Sequence, residues 1–138
     1  MHIDKFLEVS DAQAVTATAP STDVIDTKQL RSNLGLSELE LVVTLAETAT
    51  AAGAATVAVT LQDSADNAVW RDIASKTLTI ADMKVGASHV LGIPHQTQRY
   101  LRVNYTVATG PLTAGKFNAA IVNKAQAWMA HADSPNVV

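Results

Sequence analysis

The chain has 138 residues, of which 48% are apolar, 17% charged and 4% aromatic, with a net charge of −3 and no cysteine. One domain fits this length, and it is long enough to bury a core without staples. The composition excludes a basic phosphate-binding field, and with it nucleic acid as the main ligand, and it excludes disulfides and thiolate metal sites.

In chain order, the dominant period of the sequence is two. Residues 12–18 and 22–26 are short strand candidates, separated by the break Ala19-Pro20-Ser21. Ser37 and Glu40 could form a capping box, but the following Leu41-Val42-Val43-Thr44-Leu45 suits a strand better. A strand is therefore expected over 39–45, with Leu39, Leu41, Val43 and Leu45 on one face and Val42 out of phase. Residues 46–55, nearly all Ala and Thr, read as a long loop, because no side chain there is large enough to anchor a core.

Alternation returns over 56–62, with Val57, Val59 and Leu61 inward. Asp63 to Asn67 is a polar turn, followed by strand candidates at 69–74, 76–80 and 89–93. Over 99–107, Leu101, Val103, Tyr105 and Val107 share one face, and Tyr100, Arg102, Asn104 and Thr106 the other. Thr109-Gly110-Pro111 and Ala114-Gly115 are breaks before a last strand at 116–123, with Phe117, Ala119 and Ile121 on one side. Residues 125–132 have helical propensity but are too few to form a stable helix alone. About eight or nine short strands with one polar face predict an all-β, antiparallel, jelly-roll-like sandwich. The expected organisation is a single domain: an N-terminal segment 1–9, a sandwich 10–123 and a C-terminal arm 124–138.

No run of about 18 apolar residues is present, so no membrane span is expected. The start Met1-His2-Ile3-Asp4-Lys5 lacks the basic and apolar stretches of a signal peptide. Catalytic chemistry is equally hard to find. His2, His89, His95 and His131 form no His-x-His pair, and no Glu follows Glu47. A metal triad would need Asp63, Asp66, Asp72, Asp82 or Asp133, so a cupin-type metal enzyme is disfavoured. No serine sits in a nucleophile elbow, and Glu38, Glu40 and Glu47 read as solvated charges. No enzyme, metal or cofactor is expected. Trp70 reads as a strand residue, with core packing favoured over an aromatic sugar platform.

The order of five short stretches carries a resemblance. They are residues 10–19 (SDAQAVTATA), 21–26 (STDVID), 51–62 (AAGAATVAVTLQ), 99–107 (RYLRVNYTV) and 109–116 (TGPLTAGK). This sequence resembles the tailed-phage capsid cement (decoration) proteins of the kind first described in a short-tailed Bordetella phage. The resemblance implies a jelly-roll sandwich on the outer face of an icosahedral head, bridging neighbouring major capsid protein subunits. It also implies a homo-oligomer, a dimer before a trimer. Its partners would be the major capsid protein and itself, with no nucleic acid and no membrane. Ile3, Phe6, Leu7, Trp128 and Met129 are the expected capsid or oligomer contacts, since they are bulky apolar residues outside the sandwich strands. The competing readings are a carbohydrate-binding jelly roll or another virion structural module.

Overall fold

The computed structural model describes residues 5–32, 39–94 and 96–123. Nine strands and two 3-10 turns make up the described elements, with no α-helix among them. The strands are β1 (Glu8–Ala14), β2 (Ala19–Pro20), β3 (Ile25–Ser32), β4 (Leu39–Ala51), β5 (Thr56–Ser64), β6 (Arg71–Thr79), β7 (Ser88–Gly92), β8 (Thr97–Ala108) and β9 (Leu112–Asn123). The 3-10 turns are Lys5–Leu7 and Ile80–Asp82.

Every ladder is antiparallel. Sheet A runs β1-β9-β4-β7, and sheet B runs β2-β8-β5-β6, with β3 also paired to β8. β2 and β3 lie along the same strand, so together they act as one interrupted strand. Counted that way, eight strands form two four-stranded sheets in the order of a jelly roll. The all-β sandwich read from the alternation is the fold of the protein.

The core follows the alternation directly. Val57, Val59, Leu61, Leu78, Leu101, Val103 and Tyr105 face inward from sheet B. Leu41, Val43, Leu45, Leu91, Phe117, Ala119 and Ile121 face them from sheet A. The two sheets meet at Tyr105 and Phe117, whose ring centroids lie 5.1 Å apart at a tilt of 46°. A tilted contact at this distance suits the ring quadrupoles. The Tyr105 hydroxyl donates to Ser10 Oγ at 2.8 Å, and Ser10 Oγ donates to Gln13 Oε1 at 2.8 Å. Gln13 in turn accepts from the Thr22 amide and donates to the Pro20 carbonyl. This polar chain, buried at its Tyr105–Ser10 end, fastens β8, β1 and the segment between β2 and β3 to one another.

Several boundaries differ from the sequence reading. The last strand begins at Leu112, so Ala114-Gly115 lies within β9 and is not a break before residue 116. Residues 46–51 belong to β4, not to a loop. β9 supplies partners for them at Glu47↔Lys116, Thr50↔Ala114 and Ala51↔Leu112, across three register shifts. Ala49 is 1% exposed, so a small side chain does serve the core there. The reason is close approach: a Cβ on Gly115 would stand 3.1 Å from Ala49 Cβ and 3.2 Å from its Cα. Gly115 also has φ +149°, a region that L side chains rarely adopt.

The first strand is 8–14 rather than 12–18, and Glu8 and Val9 belong to the sandwich. The chain bulges at Ala12 (φ 47°), crosses at Val15 and joins sheet B at Ala19. Residues 22–26 are likewise displaced into β3, which begins at Ile25. The two candidates at 69–74 and 76–80 are one strand, β6. That strand is an exposed edge with one fully buried apolar residue, Leu78, so its sequence carries little alternation. The capping-box candidate at Ser37 and the stretch 125–132 fall outside the described residues, as do Ile3, His95, Trp128 and Met129.

Candidate interaction surfaces

The sequence-predicted contact residues separate in the structure. Phe6 projects from the 3-10 turn and is 89% exposed. Its neighbour Leu7 turns the other way and packs against the core. The turn is tied to β1 by Lys5 Nζ, which donates to Glu8 Oε1 at 2.7 Å. Among the described residues, no group of three His, Cys, Asp or Glu side chains converges on a metal position. His89, on β7, places Nε2 2.9 Å from the Asp82 carbonyl oxygen. Two open depressions lie among the described residues. One of about 480 Å³ is lined by Ala17, Thr18, Val107, Gly110 and Pro111. Another of about 200 Å³ is lined by Arg71, Gln96, Thr97 and Gln98.

The outer face of sheet B is more informative. Its register aligns side chains in rows across β6, β5 and β8. One row is Thr77, Ala58 and Thr106, and the next is Ser75, Thr60 and Asn104. Short hydroxyl and amide groups make this part level: Thr60 Oγ1 and Ser75 Oγ lie 3.1 Å apart, and Asn104 Nδ2 donates to Thr106 Oγ1. The following row is Asp72, Gln62 and Arg102. Here Gln62 Nε2 donates to Asp72 Oδ1 at 2.7 Å, which fixes the amide's orientation. Its oxygen then accepts from Arg102 Nε at 2.8 Å. The Arg102 guanidinium also lies over the Trp70 ring, 4.2 Å from its centroid. A cation over an aromatic face at this distance is attracted by the ring quadrupole.

Trp70 is therefore a half-buried residue on the outer face, at the end of the β5–β6 connection, and not a core residue. Sequence alone favours the core because an isolated Trp between Val69 and Arg71 gives no sign of its partner. The connection that presents it is firmly built. Ser64 Oγ accepts from the amides of Asp66 and Asn67, and donates to Asp66 Oδ1. Asp66 Oδ1 accepts from the amides of Ala68 and Val69. The Val69 amide, then the Ala68 amide and the Ser64 hydroxyl, hold the Asp66 carboxyl below its ordinary range. Asn67 takes φ 60°, which Asn tolerates. The result is a rigid tip that exposes Val69 (76%) beside Trp70.

Two other arginines flank this area, and both are committed. Arg71 grips the fully buried Asp63 through Nε and Nη2, at 3.0 and 2.7 Å. Asp63 also accepts from the Gln98 amide at 3.0 Å. Arg99 holds Asp26 by the same two-point geometry, at 2.7 and 3.0 Å, and lies over Tyr100. The Arg99 hydrogen bond pulls the Asp26 carboxyl down to about 2. Arg102 differs, since no carboxylate among the described residues meets it. Burial lowers its pKa, with no charge partner to offset the desolvation.

Comparison with known proteins adds a lineage to this two-sheet sandwich. A family model named Bbp16 matches residues 9–121. The chain belongs to the Bbp16 family. The family's name points to a Bordetella phage protein. The match runs from β1 to within two residues of the end of β9, so it takes in both sheets of the sandwich. No curated protein matches the chain.

Proposed function

We propose that the chain is a non-enzymatic capsid cement (decoration) protein. It binds the outer face of an icosahedral phage head and bridges neighbouring major capsid protein subunits. The observation that carries this reading is the Bbp16 match across the sandwich, from a family whose name points to a Bordetella phage. The fold is compatible with it: a jelly roll with short side chains on the outer face of sheet B and a firm tip suits contact with a broad surface.

The physical role is simple. Pressure inside a filled head strains the contacts between capsomers. A protein seated across two of them adds an interface that must break before they part. Each contact can be modest, because a bridging oligomer gains through effective concentration. A homodimer with a two-fold interface supplies two capsid-facing surfaces, and a trimer supplies three. The terminal segments, with Ile3, Phe6, Trp128 and Met129, are the contact candidates at the chain ends. Leu7 anchors the N-terminal one to the core. The edge strands, β1 and β7 of sheet A and β6 and the interrupted β2–β3 of sheet B, offer main-chain groups to which an extended capsid segment can add.

The test is rebinding. Heads stripped of this protein are titrated with the purified chain, and their survival on heating is read in parallel. Saturable binding that restores survival supports the proposal and yields the copy number. Absence of binding to heads, with a monomer in solution, refutes it and directs attention to glycan ligands. Deleting 1–7 and 124–138 together should weaken binding, and unchanged binding would remove the termini from the contact.

A further inference from the structure

The outer face of sheet B carries one cation whose setting is complete in every respect except a counter-charge. Arg71 and Arg99 each close on an in-chain carboxylate with both arms of the fork. Arg102 is held instead by Gln62 at Nε and by the Trp70 ring beneath it. The Asp72–Gln62 hydrogen bond prevents the Gln62 amide from turning over. No carboxylate among the described residues occupies its terminal nitrogens. A planar, pre-oriented guanidinium with open terminal donors matches a carboxylate in two-point geometry. Its desolvation is already partly met in the free protein, and its stacking on Trp70 limits the ordering that binding would demand.

We propose that this face, centred on Arg102 and Trp70, docks an Asp or Glu side chain on an extended segment of the major capsid protein. The inference rests on the cement reading for the partner's identity. Three observations favour an acidic polypeptide over a sugar. Arg102 covers one face of Trp70, so that face is closed to stacking by a pyranose. Val69 stands exposed beside the ring as an apolar contact. Ser75, Thr77, Asn104 and Thr106, set around the buried Thr60, form a bed of short side chains on which a backbone can lie. Trp, Tyr and Arg are also the residues that most often dominate binding energy, and Tyr100 completes the set here.

The experiment titrates stripped heads with the full chain and with R102E, R102Q, R102K and K84Q. Lys84 lies on the turn before β7 and serves as the charge control. Thermal unfolding is measured for each variant. The proposal expects native-like unfolding, with head affinity reduced by about tenfold or more for R102E. R102Q should weaken binding and reduce its salt dependence, and K84Q should change neither. R102K keeps the charge but loses the fork, so a loss of several-fold is expected. It decides the matter should R102E fail to fold. Wild-type binding that R102E or R102K leaves within about twofold overturns the docking site and leaves the cement reading standing. An equal loss in K84Q overturns it too, since the contact would then be undirected charge. If the wild-type chain binds no head, the cement reading falls, and the partner named here falls with it.

Discussion

Removing one oxygen from Tyr105 tests the polar chain that joins the two sheets. In Tyr105→Phe the ring keeps its contact with Phe117 at 5.1 Å, so the packing is conserved. What is lost is the 2.8 Å bond to Ser10 Oγ, in a site where both residues are wholly buried. Ser10 still donates to Gln13, so only its acceptor site is left empty. A neutral bond of this kind contributes about 0.5–1.5 kcal/mol. Ser10→Ala leaves the Tyr105 hydroxyl buried without a described partner, for a cost of about 1–3 kcal/mol. The double variant should cost less than the sum, with a coupling of at least about 0.5 kcal/mol. Urea unfolding with linear extrapolation measures all four proteins.

The same hydroxyl supplies a pH signature. Burial pushes the Tyr105 pKa up to about 12, against about 10 in the unfolded chain, and the Ser10 bond offsets only part of this. The folded state therefore holds the proton more tightly than the unfolded state. The associated stability is intact below pH 10 and is lost as pH rises toward 12, to a total of about 3 kcal/mol. Lysines titrate over the same range, so the quantity to read is the difference between the wild type and Tyr105→Phe. Additive single-variant costs, or identical alkaline profiles, would refute the reasoning.

Gly115→Ala should lower stability by about 1–3 kcal/mol, because the new Cβ meets Ala49 at 3.1 Å in a backbone region hostile to L residues; thermal unfolding checks this. Ala49→Gly on that background should not restore the loss, since the conformational strain at Gly115 remains. Asp63→Ala strips Arg71 and the Gln98 amide of a buried acceptor. Arg71 is 60% exposed at its side chain and can rehydrate, so the expected cost is about 1–3 kcal/mol, chiefly from the orphaned amide. Urea unfolding reads it, and a cost near zero would show that the amide finds another partner. Asp26 contributes stability above its unfolded pKa, and this is lost as pH falls through about 2. Asp26→Asn should therefore flatten the acid limb of the stability curve between about pH 4 and pH 2. An NMR titration of Asp26 with a midpoint near 4 would contradict the Arg99 pairing.

The sequence alone was sufficient for the sandwich and for most of its core. Leu101, Val103 and Tyr105, or Val57, Val59 and Leu61, alternate with polar residues. A strand side chain has only two faces to choose between, so that pattern needs no partner to be read. The same alternation already put Tyr100, Arg102, Asn104 and Thr106 on the outer face. What it could not supply is whatever depends on the neighbouring strand. The Ala- and Thr-rich stretch 46–51 is a strand because β9 lies against it with a glycine at the closest approach. β6 is continuous because β5 ladders it, though its own residues are mostly exposed. The Trp70–Arg102–Gln62–Asp72 group draws on three strands and a turn, 40 residues apart at its widest hydrogen bond. Its members come together through register, and register is set by pairing between strands, so it is a property of the folded sheet and not of any single stretch of sequence.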